Sequence, residues 1–155
     1  MPPIKRDAHL QYLSQQHHQV LIVCWKIRTG ITRPQRIASL KAFCSYFYTH
    51  YLVPHFNIEE TLLYPVLGNN HELVKTALEA HHKISDLFKT AGTDIHLYDM
   101  LEKELNNHIR FEERVLFNEI QKLATPQQLA AIAAADTHND KGFVSIEQWE
   151  DKFWE

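Results

Sequence analysis

Two ten-residue stretches of this chain repeat one pattern of metal-ligating side chains. His55-Phe56-Asn57-Ile58-Glu59-Glu60-Thr61-Leu62-Leu63-Tyr64 and His108-Ile109-Arg110-Phe111-Glu112-Glu113-Arg114-Val115-Leu116-Phe117 share the core H-x-x-x-E-E-x-[LV]-L-[YF]. In each, a histidine precedes a glutamate by four residues, a separation that puts both on one face of a helix. Imidazole nitrogen plus carboxylate oxygen is a ligand set for first-row transition metals. Two such pairs converging in one core would hold a dinuclear metal centre.

The repeat reaches further back. Leu13-Ser14-Gln15-Gln16-His17-His18-Gln19-Val20 precedes the first copy, and Leu78-Glu79-Ala80-His81-His82-Lys83-Ile84 precedes the second. One helical hairpin with three ligands is thus present twice, which suggests a pseudo-two-fold site. Periodicity chooses between adjacent histidines. His81 shares its face with Ala77, Leu78, Ile84 and Phe88, whereas His82 shares its own with Glu79, Asp86 and Lys89. His81 is the better ligand. On the first helix the apolar stripe continues through Val20, Leu21 and Cys24 on the His17 face, so His17 is preferred and His18 is the alternate.

Solvated surface pairs are the competing reading of His55/Glu59 and His108/Glu112. Their flanks argue against it: Ile58, Leu62 and Leu63 surround the first pair, and Phe111, Val115 and Leu116 the second. A carboxylate in such surroundings is costly unless it is paired or binds metal. Glu60 and Glu113 lie about 100° round the helix from the ligand face and read as outer partners or solvated groups. His50 is five residues before His55, roughly 140° round, and reads as non-ligating. His71, His96 and His138 fall near helix ends or in the tail. Tyr64 is a weak candidate proton donor, since an interior tyrosine usually packs.

The ligand set is therefore His17, His55, Glu59, His81, His108 and Glu112. If both glutamates bridge, each of two metals receives two imidazole nitrogens and two carboxylate oxygens. A shared oxo or hydroxo makes five ligands, leaving six-coordinate iron one open position. Nitrogen and oxygen at this density suit a non-haem di-iron centre, with manganese or zinc as substitutes. A structural zinc site is disfavoured because Cys24 and Cys44 lack C-x-x-C spacing.

Four long amphipathic helices must position these groups. Ser14 is the expected N-cap of the first and Gly30 its stop. The second runs from about Pro34 to Leu67, with Pro54 expected to kink it just before the ligand pair. The third spans about 71–91 and is closed by Gly92. Thr93 or Asp94 caps a fourth that runs to about Leu123. Thr125-Pro126 opens a short Ala-rich fifth helix to about Ala135. The aromatic tail, with Phe143, Trp149, Phe153 and Trp154, is expected to pack back on the helices. The fold expected is all-α, an antiparallel up-down-up-down four-helix bundle with a C-terminal helix and tail. The 155 residues make one domain, with the bundle at about 13–123 and the C-terminal part at 125–155.

Composition narrows function. A net charge of −3 without a basic stripe argues against nucleic acid. No run of about 18 apolar residues is present for a membrane span, and Met1–Asp7 lacks the apolar core of a signal peptide. Two distant cysteines in apolar stretches read as reduced thiols in a cytoplasmic protein. The stretch from Asp136 to Gly142 superficially resembles a calcium loop, but Thr137, Lys141 and Gln148 fall where loop ligands belong, so a calcium site is rejected.

The ordered set H, H-x-x-x-E, H, H-x-x-x-E over roughly 13–120 resembles the hemerythrin-like (HHE cation-binding) proteins. The stretches around His17-His18, His55 to Pro65 and His108 to Glu113 are similar to bacterial members. The resemblance implies a four-helix bundle with a non-haem di-iron centre. It also implies family roles in oxygen carriage or sensing, nitric oxide or peroxide chemistry, iron sensing and iron–sulfur repair. Two departures stand out. Oxygen carriers use a second third-helix histidine four residues from the first, and here those positions hold Ala77 and Ser85. They also have an aspartate where this chain has Glu112. Fewer protein ligands shift the expectation from reversible carriage toward redox chemistry or sensing of a small diatomic ligand or peroxide. The alternatives are a peroxide-consuming or oxidase-type enzyme and a metal-dependent interaction module.

Overall fold

A computed structural model describes residues 5–137 and 146–155. The expectations for His138 and Phe143 lie outside the described residues. Within those residues every regular element is helical, and no helix is long and apolar enough to cross a membrane.

The first helix is Gln11–Gly30. It begins a turn before the expected Ser14 cap, with Leu10 at the N-cap and no side-chain cap bond. Ser14 Oγ instead donates to the Glu113 carboxylate at 2.9 Å, so a long-range partner outcompetes local capping. The second rod covers residues 34–66 as contiguous pieces: Pro34–Arg36, Ile37–Phe47, Tyr48–Leu52, Val53–Ile58, Glu59–Leu63 and Tyr64–Val66. Tyr48–Leu52 is a π-turn. It lies just ahead of Pro54, whose missing N–H would otherwise bond the His50 carbonyl. The proline's interruption is thus absorbed by a widened ladder.

The third helix is Glu72–Thr90, capped by His71, whose Nδ1 accepts from the Leu73 N–H. It ends at Gly92, which takes a φ of 55°, a conformation that costs residues with a Cβ but not glycine. Asp94 caps the fourth helix by accepting from the His96 N–H. That helix continues through Ile95–Phe111, a π-turn at Glu112–Leu116, and Phe117–Leu123. Thr125 and Gln128 form a reciprocal capping box at the C-terminal helix, Pro126–Thr137.

Two apolar clusters make the core. One gathers Val20, Ile27, Phe43, Phe47, Ile84, Leu101, Leu105 and Phe153. The other gathers Leu13, Leu63, Val74, Ala77, Leu116, Ile120 and Ile132. On each long helix one buried histidine interrupts the stripe where the clusters meet: His17 before Val20, His55 before Leu63, His81 before Ile84, His108 before Leu116. The helices therefore deliver four imidazoles to one level. The described tail folds back as expected. Phe153 is fully buried and lies so close to Gly30 that a Cβ there would meet its ring at 2.7 Å. Trp154 receives the Lys26 ammonium at 4.1 Å.

Candidate metal centre

The six residues chosen from sequence meet between the clusters. His17, His55, Glu59 and Glu112 form one group of donor atoms within 4.8 Å of one another, and Glu59, His81 and His108 form a second. Glu59 belongs to both. Its Oε2 lies 3.4 Å from His55 Nε2 and 3.7 Å from His17 Nε2, while its Oε1 lies 3.1 Å from His81 Nε2. Glu112 Oε1 reaches His108 Nε2 at 3.0 Å and His17 Nε2 at 3.6 Å. Each carboxylate thus touches histidines of both groups. The alternates are not at the site: His18, His82 and His50 are exposed, as are His71 and His96. Of the flanks read as apolar cover, Val115 is itself exposed, at 41%.

A metal fits the unsatisfied chemistry of this layer. His17 and His55 Nε2 face each other at 3.2 Å, and His81 and His108 Nε2 at 3.1 Å. Two neutral imidazoles can share one proton across such a contact, leaving the surrounding lone pairs unused. Among the described residues, Glu59 Oε2 and Glu112 Oε1 are buried without a well-directed hydrogen bond, although His55 and His108 nitrogens lie near them. Buried polar atoms of this kind are rare unless a partner is supplied. A cation between each nitrogen pair and the carboxylates would satisfy all of them at once.

Electrostatics agree. Burial holds the His55 imidazolium well below the ordinary value of 6.5, and the neighbouring His17 adds to this. Burial also lowers His81. Burial, followed by the adjoining Glu112, raises Glu59 well above 4.5. Burial pushes Glu112 up as well, but His108, the Glu59 hydrogen bond and His17 outweigh it and the net direction is down. The two carboxyl groups interact closely enough that their shifts belong to the pair.

The local backbone places more than the expected ligands. Both glutamates begin π-turns, in which the Tyr64 N–H bonds the Glu59 carbonyl and the Phe117 N–H bonds the Glu112 carbonyl. In a regular helix a residue five positions on lies roughly 140° away. The wider turn returns it to the ligand face. Tyr64 accordingly puts its hydroxyl 2.9 Å from Glu112 Oε2, donating, and 3.0 Å from His81 Nε2. Phe117 stacks on His17 with ring centroids 5.2 Å apart. Burial, then Glu112, raises the Tyr64 phenol well above 10, so it keeps its proton.

The second glutamate of each motif faces the outer nitrogen of a site histidine on another helix. Glu113 Oε1 lies 3.4 Å from His17 Nδ1, and Glu60 Oε2 lies 3.6 Å from His81 Nδ1. Carboxylates behind ligating histidines fix ring orientation and raise basicity. Sequence reasoning passed over Arg6, which precedes the first helix. Its guanidinium donates to the Glu113 carbonyl at 2.6 Å and lies 3.2 Å from the Glu113 carboxylate. It also missed Asp136, which is buried on the C-terminal helix and contributes to raising Glu59. Neither lies within the repeated motif, so no sequence signal marked them.

A site of this composition on helices defines a helical cation-binding protein. The model of the hemerythrin HHE cation binding domain matches residues 8–120, and the chain belongs to that family. No curated protein and no solved structure matches it.

Proposed function

We propose that the protein is a non-haem di-iron protein that binds, senses or reduces a small oxidant such as oxygen, peroxide or nitric oxide. The observation that carries this reading is the pair of interlocked donor groups sharing Glu59. In it, His17 and His55 would hold one metal and His81 and His108 the other, with Glu59 and Glu112 serving both. Bound iron would supply the electrons for chemistry on a small ligand. The chain's residues exclude bulk water, hold His55 and His81 below the ordinary imidazole range and keep a proton on Tyr64. Short connectors between successive long helices support an antiparallel up-down-up-down bundle in a single domain over residues 1–155. The free thiols of Cys24 and Cys44 support a cytoplasmic setting.

Anaerobic reconstitution with iron, metal analysis and optical spectra with and without oxygen, nitric oxide and azide tests the reading. Two iron ions per chain and a ligand-dependent spectrum are expected. One tightly bound ion per chain, with protein concentration measured independently, would sink it. A peroxide-consuming enzyme is the second reading, favoured by the protonated Tyr64 hydroxyl against Glu112. Peroxide turnover by the iron-loaded protein, lost in Tyr64→Phe, separates the two.

A further inference from the structure

The two ends of the centre are built alike but closed differently. At the His17 end, Glu113 is fixed from three directions. Ser14 Oγ donates to its carboxylate, Arg6 pairs with it, and the Arg6 guanidinium also holds the Glu113 carbonyl. Arg6 is pinned in turn by Asn118 and Gln121, and its guanidinium carbon lies 5.3 Å from the centre of the Phe117 ring. A hydrogen-bonded lid thus covers His17 and the ring stacked on it.

At the His81 end, the equivalent Glu60 side chain is 43% exposed and pairs with His81 itself. It lines a cleft of about 300 Å³ between the second rod and the third helix. That cleft joins exposed His82 and Lys89 to buried Phe56 and His81. A second cavity, of about 220 Å³, reaches His108 from the other side of the third helix, between Ala80 and Phe111. Ala77, one turn before His81, is buried and too small to fill a coordination position. Solvent-borne species therefore meet His81 first, behind a carboxylate whose ion-pair partner among the described residues is His81 itself.

We infer that the His81–His108 end is the exchanging end of the centre. Metal ions and small anions pass along the Glu60 cleft, with Glu60 positioning His81, while the Arg6–Glu113–Ser14 lid retains the ion at the His17 end. This rests on the dinuclear reading above, and it assigns different tasks to two glutamates that the motif makes equivalent.

The test loads the full chain with zinc and follows its release to a chromophoric chelator. Two phases of equal amplitude are expected, and His108→Ala should remove the fast one while His17→Ala removes the slow one. Ser85→Trp, which fills the cleft, should slow the fast phase about tenfold. Glu60→Gln should speed the fast phase by about ten- to a hundredfold, the range for loss of an outer carboxylate. Arg6→Ala and Glu113→Gln should speed the slow phase instead. In the metal-free chain, nitrogen NMR should show the His81 Nδ1 signal moving in Glu60→Gln and the His17 signal staying still. Two zinc ions released in a single phase would overturn the inference while leaving the dinuclear reading standing. So would a fast phase indifferent to Ser85→Trp, or an unmoved His81 signal in Glu60→Gln. Wild-type protein that takes up no more than one zinc would overturn the dinuclear reading first.

Discussion

The His17 end and the His81 end of this centre come from the same sequence pattern, and they diverge at its edges. Both have a histidine pair, a shared glutamate, an outer glutamate and a ring brought round by a π-turn. At one end the ring is Phe117 and the outer carboxylate is held by Arg6 and Ser14. At the other the ring is Tyr64, whose hydroxyl enters the donor layer, and the outer carboxylate is half in solvent. Repetition supplies the donor side chains; the ring at its last position and partners such as Arg6 make the two ends differ.

The hardest test of the comparison concerns the groups common to both ends. Glu59→Ala or Glu112→Ala should lose both metal ions, whereas His55→Ala should lose mainly one. Metal content by elemental analysis decides it, and full retention in Glu59→Ala would show that the ends do not share that carboxylate.

Metal should also stabilise the fold, because the folded chain alone presents the site. At free metal a hundredfold above Kd the gain is about 2.7 kcal/mol. Its pH dependence has a definite sign. Burial lowers His55 and His81 below 6.5, so as pH falls below 6.5 the unfolded chain takes protons first and the metal-free protein loses stability. Glu59 is raised above 4.5. Its contribution is therefore full below 4.5 and is lost as pH rises through the elevated folded value. Metal needs neutral imidazole and ionised carboxylate, so affinity should fall from pH 7.5 to pH 5. The difference in Tm between loaded and metal-free protein should shrink over the same range. Equal melting at pH 7 would contradict a buried histidine–carboxylate site.

Much of this was legible because regular helical spacing carries it. His17, His55, His81 and His108 each interrupt an apolar stripe, and the rule that i and i+4 share a face picks Glu59 and Glu112. The same rule keeps Tyr64, named only as a weak candidate, off the ligand face. Five residues beyond Glu59, it belongs on another face of a regular helix, and a π-turn does not announce itself in residue types. Arg6, given no role, and Ser14, read as a local cap, share a different reason. Their partner Glu113 is 107 and 99 residues away, and local capping logic cannot see a partner at that distance.

Two smaller changes sharpen the contrast. Tyr64→Phe makes the rings of the two ends alike and leaves the Glu112 carboxylate without its phenol donor. A loss of about 1–3 kcal/mol in urea unfolding of the metal-free protein is expected. Phe117→Tyr should not restore it, since its ring stacks on His17 rather than facing the carboxylate. Arg6→Ala should cost less, about 1 kcal/mol, because the pair it breaks with Glu113 is partly exposed. An Arg6→Ala loss matching that of Tyr64→Phe would mean the lid is as deeply built into the core as the donor layer.

The paired π-turns also bear on ancestry. A π-turn is a helix carrying one codon more than its register requires, and the surplus is tolerated because downstream side chains keep their faces. Here both copies carry the surplus at the same motif position, directly after the first glutamate of the pair. If the two hairpins descend from one gene segment, that codon entered before the segment doubled. Deleting one residue from the turn, such as Thr61, would then return the first copy to the older length, with Tyr64 still facing Glu59 at an ordinary four-residue step.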